Sequence, residues 1–143
     1  MAIVNDPVIL DDLILHRDRM KLVDGVSAID DRHAVCQARL REGGPLQAAE
    51  GVSPLLSVEL VAQSVAILIG WRSRHERLHG GAGWLVGVRE ARLQTEPLPL
   101  GADLEIEVTL LSTWGTYATA VGTVRLAGAE VAEVEVQVFR PTE

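Results

Sequence analysis

One stretch, SVELVAQSVAILIGW at residues 57–71, decides most of what this chain can become. Apart from Glu59, Gln63 and two serines, every residue in it is apolar or glycine. Ser53 is a good N-cap and Pro54 fits the first helical position. His79-Gly80-Gly81 is a stop signal, so the pattern predicts a helix from about residue 53 to about residue 77. A helix that is apolar on nearly every side must be buried on nearly every side. A carboxylate in such a place has either a hidden partner or a chemical task.

The remaining sequence supplies what would surround that helix. With 143 residues, 48% of them hydrophobic and 23% charged, the chain suits one domain, 1–143, with a substantial core. Aromatic residues make up only 3%, so small and branched side chains must do the packing. Pro7 and the helical spacing of PVILDDLIL predict a short helix over 7–15. KLVDGVSAI and RHAVCQARLR read as two strands, with Asp30-Asp31 turning between them. REGGPLQAAEG reads as a loop, broken most strongly at Gly43-Gly44-Pro45. After the long helix come GWLVGVREARLQ, ADLEIEVTLLST, TYATAVGTVRLA and EVAEVEVQVFRP, four strand-like runs. Trp114-Gly115-Thr116 and Ala127-Gly128-Ala129 are short enough to be hairpin connections.

Six strands in one antiparallel sheet, wrapped around one long central helix, satisfy both this order and the helix's burial. That α+β arrangement is the hot-dog fold. A helix lying across an open sheet is the competitor, but it needs a polar outer stripe, and residues 58–71 lack one.

Charge and cysteine content exclude several functions. A net charge of −7 argues against nucleic acid and against a polybasic membrane surface. The longest apolar run, Val65 to Trp71, falls far short of the ~20 residues of a membrane span. The start lacks a basic region like that of a secretory signal, and a single cysteine, Cys36, allows no internal disulfide. The expected setting is the cytoplasm. Cys36 sits in an alternating strand and reads as a small buried hydrophobe. No His/Cys/Asp cluster has metal-ligand spacing, and no cofactor is expected.

Glu59 lies about six residues past the N-cap, too deep for a capping or helix-dipole account, both confined to the first turn. A carboxyl withdrawn from water is suited to giving and taking protons. Its structural alternative is a carboxyl hydrogen-bonded to backbone or to His16. Gln63, one turn on, faces the same way and can position Glu59, bind substrate or orient a loop. Ser53 and Ser57 are nearby hydroxyls, Ser53 being well explained as the cap. His33, His75 and His79 have solvent-facing contexts. Arg72, Arg74 and Arg77, in WRSRHERLHGG, either match the dipole at a helix C-terminus or, with Arg17, Arg19 and Lys21, form a basic rim.

Three motifs in order carry a family likeness. LILHRDRMKLVDGV resembles the N-terminal signature of hot-dog dehydratases that act on 3-hydroxyacyl chains carried by acyl carrier protein. VELVAQSVA resembles the central helix of that family, where a glutamate is followed four residues later by glutamine. GWLVGVREARL resembles its next strand. The likeness spans roughly residues 12–140, and the subgroup it is most similar to is the dehydratase-like proteins of aryl-polyene biosynthesis. Two parts depart from the pattern. The family's catalytic histidine lies fourteen residues before the glutamate, where this chain has Pro45, and no histidine occurs from 34 to 74. The family's proline-glycine pair before the helix is here Ser53-Pro54, and Pro54 has no N–H to polarise a thioester.

The resemblance implies dehydration of 3-hydroxyacyl thioesters on a carrier protein or coenzyme A, with Glu59 and His16 as catalytic residues. It also implies Gln63, Ser53, Ala62 and Ala66 along the substrate, and Arg72, Arg74 and Arg77 as a landing patch for the acidic carrier protein. Partners would be a second copy or another hot-dog subunit. Two other activities remain open at this point: a thioesterase using Glu59, and a non-catalytic subunit that supports a histidine-bearing relative.

Overall fold

The computed structural model describes residues 2–4, 21–75 and 85–139; for residues 2–4, 73–75, 85 and 86 it describes the backbone alone. The helix expected over 7–15 lies outside the described residues. The chain forms β1 (Ala2–Val4), β2 (Gly25–Ile29) and β3 (His33–Arg39). The reversal between β2 and β3 falls at Asp30-Asp31, as expected. Asp30 Oδ1 accepts the Arg32 N–H at 2.9 Å, a side chain standing in for a backbone turn partner.

The segment expected to be plain loop holds a small hairpin, β4 (Gln47–Ala48) paired with β5 (Gly51–Val52). Its cause is a long-range contact. Val52 and Leu98 exchange both backbone hydrogen bonds, at 2.8 and 2.7 Å. Gly51 permits this approach: its φ is 134°, and a Cβ there would stand 2.5 Å from the Leu98 carbonyl oxygen.

α1 (Leu56–His75) follows, then β6 (Leu85–Leu93), β7 (Asp103–Trp114), β8 (Tyr117–Leu126) and β9 (Ala129–Phe139). The strands make one antiparallel sheet in the order β1-β2-β3-β7-β8-β9-β6. The six expected strands are all present, and β1 adds a short seventh at one edge. The β8–β9 reversal needs left-handed backbone at two successive positions, Ala127 (φ 51°) and Gly128 (φ 83°), the twist that suits a two-residue hairpin. This is the hot-dog fold, with α1 packed on β7, β3 and β8 and, to a lesser extent, on β9 and β6.

The core is the alternate face of each strand. Ala34, Cys36 and Ala38 of β3, Leu104, Ile106, Val108 and Leu110 of β7, and Val134, Val136 and Val138 of β9 are buried with the helix residues Leu60, Val61, Val65 and Leu68. Gly122 on β8 sets how closely helix and sheet meet. A Cβ there would lie 2.6 and 2.7 Å from the two Val61 methyl carbons and 3.1 Å from Val108 Cγ1.

The opposite face of the sheet is a charge ladder. His33 Nε2 and Glu107 Oε2 are 2.9 Å apart, and Arg125 Nη1 donates to Glu107 Oε1 at 3.1 Å. Arg39 meets Asp103 through two hydrogen bonds, at 2.8 and 3.1 Å. The His33 bond, and after it Arg125, hold the Glu107 carboxyl below the usual range, against the opposing effect of partial burial.

Two outcomes follow from this packing. Gly122→Ala should lower stability by about 1–3 kcal/mol, as overpacking does. Val61→Ala in the same chain should recover part of the loss; urea midpoints measure both, and a neutral Gly122→Ala would mean that the sheet yields. For Glu107, a folded-state value below the unfolded ~4.3 adds stability that is present above ~4.3 and lost as pH falls through the lower value. Because the group is partly exposed, Glu107→Gln should cost less than about 1 kcal/mol near neutrality. The gap to wild type should close in acid; a gap constant across pH would leave the pairing without a stabilising role.

Candidate active site

α1 brings Glu59 and Gln63 together on one side, a turn apart. Gln63 is completely buried, yet both ends of its amide are engaged. Its Oε1 accepts the backbone N–H groups of Leu22 (2.9 Å) and Val23 (3.3 Å), and its Nε2 donates to Glu59 Oε1 at 3.2 Å. The chain entering β2 is thus tied to the helix, and the carboxylate is tied to the same side chain.

Glu59 itself is half-buried, and so are Val58, Ala62, Ala66 and Gly70. Their spacing puts them on one side of α1, while Leu56, Ser57, Leu60, Val61, Ser64, Val65, Ile67 and Leu68 are buried on the other. The helix therefore has an outer stripe after all, made of small side chains and one carboxylate. Ala62 and Ala66 continue the line that Glu59 begins.

The helix begins later than expected. Leu56, Ser57 and Val58 donate their N–H groups to the carbonyls three residues back, at 3.0, 3.0 and 3.1 Å, a tight turn ahead of the α-helix proper. Since the α-helix starts at Leu56, Glu59 falls in its first turn, where the helix dipole favours a carboxylate. This corrects the expectation that it lay too deep for such an effect. Ser53 Oγ accepts the Leu55 N–H at 3.3 Å, so Ser53 caps the turn. These bonds occupy the N–H groups of residues 55–58, and Pro54 has none, which leaves a substrate carbonyl no open backbone donor there.

A cavity of about 500 Å³ lies beside Leu56 and Leu60. Its apolar lining is Leu22, Ala38, Leu40, Pro45, Val52, Leu56 and Leu60, and its polar lining is Lys21, Asp24, Arg39, Arg41 and Glu42, with Gly43 and Gly44. That volume lies within the ~300–1,000 Å³ of small-molecule sites. Arg41 is paired with Asp24 at 2.7 Å and Arg39 with Asp103 at 2.8 Å, so much of the charge is already neutralised. The loop closes on itself: Gly43 donates its N–H to Gln47 Oε1 at 2.6 Å, and Gly44 to the Arg41 carbonyl at 3.3 Å. Leu22 belongs both to this lining and to the hydrogen bonds of Gln63, whereas Glu59, Gln63, Ala62 and Ala66 are not among the described lining residues. Pro45, not histidine, stands in that lining. Sequence reasoning missed the cavity; its only local signal was Gly43-Gly44-Pro45 lying between Leu40 and Val52.

The other candidates are scattered. Arg72 Nη1 donates to the Asp31 carbonyl at 3.5 Å, about 20 Å along the helix from Glu59. The Arg74 and His75 side chains, together with His16, Arg77 and His79, lie outside the described residues. His33, expected to face solvent, is about three-quarters covered (side-chain exposure 26%) and belongs to the ladder on the opposite face. Burial pushes the Cys36 thiol up to about 11, with a weaker opposing hydrogen bond from Ser64, so it is no nucleophile near neutrality. Ser57 is fully buried, and its hydroxyl meets no hydrogen-bond partner among the described residues. Among the described residues, no three His, Cys, Asp or Glu are grouped to hold a metal, and no helix is long and apolar enough to cross a membrane.

Comparison with known proteins bears on this site. The family described as ApeP-like (ApeP dehydratase) matches residues 8–143. No curated protein sequence matches the chain. Among solved structures, the dehydratase heterocomplex ApeI:P from Xenorhabdus doucetiae is similar with a TM-score of 0.84 at 21% identity, over 94% of this chain and 91% of that one. The TT0310 protein from Thermus thermophilus is similar with a TM-score of 0.63 at 19% identity, over 88% of this chain and 100% of that one. The uncharacterised protein PH1136 from Pyrococcus horikoshii reaches 0.71 at 12% identity, over 99% and 97%. At such identities the structural likeness speaks for the fold alone.

Proposed function

The chain belongs to the ApeP-like dehydratase family, and from that premise we propose that it takes part in removing water from 3-hydroxyacyl thioesters held on acyl carrier protein. The observation that carries the reading is the half-buried carboxylate of Glu59, bonded to a buried amide that also holds Leu22, a residue of the cavity lining. Dehydration needs a base to take the proton alpha to the thioester and an acid to hand a proton to the departing beta-hydroxyl. A carbon–carbon double bond forms, and one water leaves. Glu59 is assigned one of these transfers and His16 the other. The cavity lining suits an acyl chain, and Ala62 and Ala66 extend the apolar surface along the helix. Coenzyme A is the alternative handle.

A second reading has its own support: this chain lends Glu59 to a site completed by another hot-dog subunit. Among the described residues no histidine lines the cavity, and the N–H groups at the start of α1 are already bonded. β6 is an end strand of the sheet, and Val88 on it remains 48% exposed. The small-residue side of α1 that bears Glu59 is only half-buried. A similar structure is itself described as a dehydratase heterocomplex. We assign β6 and this side of α1 to a dimer with a second copy or with a histidine-bearing hot-dog chain.

Incubated with this chain alone, a 3-hydroxyacyl carrier protein should lose one water, read by intact mass. Water lost only after a histidine-bearing hot-dog chain is added would favour the shared site. Loss of the whole acyl group would mean hydrolysis and overturn dehydration. Glu59→Gln should lower the rate at least about a hundredfold, the scale of general acid–base catalysis, without unfolding the chain; an unaffected rate removes Glu59 from the mechanism. Reversing Arg72, Arg74 and Arg77 to glutamate should weaken carrier-protein binding, measured by calorimetry at low salt, and the difference should shrink with added salt. Unchanged affinity would reduce those arginines to matching the helix dipole.

A further inference from the structure

We infer that one end of the sheet face turned away from α1, where Trp114, Tyr117 and Phe139 gather, docks the same face of a second copy of this chain. This contact is separate from the β6 edge and from the cavity, and it does not depend on the dehydration reading.

Trp114, Tyr117 and Phe139 are three of only five aromatic residues in the chain. They stand opposite one another on adjacent strands: Trp114 of β7 pairs with Tyr117 of β8, and Tyr117 with Phe139 of β9. Residues directly opposite share a face. On β8 that face is the one bearing Arg125, because Ala118, Ala120 and Val124 are buried on the other. The rings therefore lie on the charge-ladder face, ~26 Å along the strand from Arg125. Trp114 stacks on Tyr117, with ring centroids 6.0 Å apart and planes 11° apart, yet Trp114 remains 67% exposed and Phe139 44%. Apolar rings gathered in one exposed place mark an interaction surface.

The surroundings select a second copy as the occupant. No charged residue occurs from 108 to 124, the run that forms the end of β7, the hairpin and most of β8. The row behind the rings, Ser112, Thr119 and Gln137, is polar but uncharged. Its two hydroxyls bond each other at 2.8 Å, so covering them strands neither. Charges begin only in the rows beyond, with Glu135 and then Glu107 and Glu133. An apolar centre with a polar rim is the composition of protein interfaces. Two copies carrying −7 each repel wherever their acids meet, and here they approach without that cost. Anionic lipid repels the same acidic chain, which disfavours a membrane as the occupant. A two-fold contact sets one patch against itself, and rings stacked on rings meet that condition.

Three partly covered rings of ~150–250 Å² each expose a few hundred Å² in all. That is less than the ~800 Å² per partner of a standard interface, so the contact alone is weak and is lost on dilution. The aromatic row ends at Phe139, which pairs with Leu85, the first residue of β6. Copies joined through their β6 edges carry two such patches, and two weak contacts made together reinforce each other through effective concentration.

Sedimentation of the full chain over a range of concentrations tests this. The mass should rise with concentration, and Trp114→Ser should weaken that association at least about tenfold, as loss of a central aromatic does. Phe139→Ser is the second variant; both side chains are exposed, and circular dichroism should show both variants folded. Val88→Asp, on β6, should remove the edge pairing and leave the Trp114-dependent step in place. If Trp114→Ser and Val88→Asp abolish one and the same step, the rings belong to the β6 contact and the inference falls. It falls equally if no association step of the wild type is weakened in either ring variant. Binding to phosphatidylcholine vesicles that Trp114→Ser abolishes, in a chain that does not self-associate, would overturn it in favour of a lipid surface. A Trp114-dependent step in a chain that Val88→Asp leaves unchanged would sustain the inference and remove β6 from the assembly.

Discussion

A helix laid against the inner side of a curved sheet must come close enough to touch it and must strand no polar group on the buried side. Both demands are visible in α1. Gly122 supplies the close approach, because the Val61 methyl groups occupy the space a side chain there would need. The buried polar groups of the helix are mostly answered from within. Ser64 donates to the Leu60 carbonyl one turn back, at 2.8 Å, and Gln63 reaches across to the backbone of Leu22 and Val23. Leaving either without a partner would cost about 1–3 kcal/mol.

The site grows out of that requirement. Gln63 must be satisfied because it is buried, and satisfying it fixes a donor toward Glu59. Glu59 then gains a defined direction on the side of α1 that is not fully covered. On the proposed reading, a carboxylate held by a buried amide on the first helical turn is suited to moving protons in a way that a free surface glutamate is not.

The strands and the central helix were legible because their signals are local. Alternation in EVAEVEVQVFRP and the unbroken apolar helix need no knowledge of the fold, and Glu59 and Gln63 were paired by spacing alone. What escaped was set by distant contacts. The β4–β5 hairpin depends on Leu98 meeting Val52, and the cavity depends on that hairpin. The partners of Gln63 stand about forty residues away in sequence, and His33 finds Glu107 only through the β3–β7 register. The late start of the helix had a local cause, the tight turn that Ser53, Pro54 and Leu55 form, but the pattern of apolar residues does not distinguish that turn from the helix it leads into.

The two sides of the cavity are held very differently. Val52 is locked by a reciprocal backbone bridge to Leu98, across a glycine that no other residue can replace without strain. The stretch from Glu42 to Pro45 is held by two hydrogen bonds within its own loop, and a side chain added at Gly43 would meet nothing within 4 Å. Natural variation therefore has one wall it can edit and one it cannot. Relatives that accommodate different guests should diverge in length and composition at 42–45 while Gly51 stays glycine, so this short loop is where the lineage keeps its room to evolve.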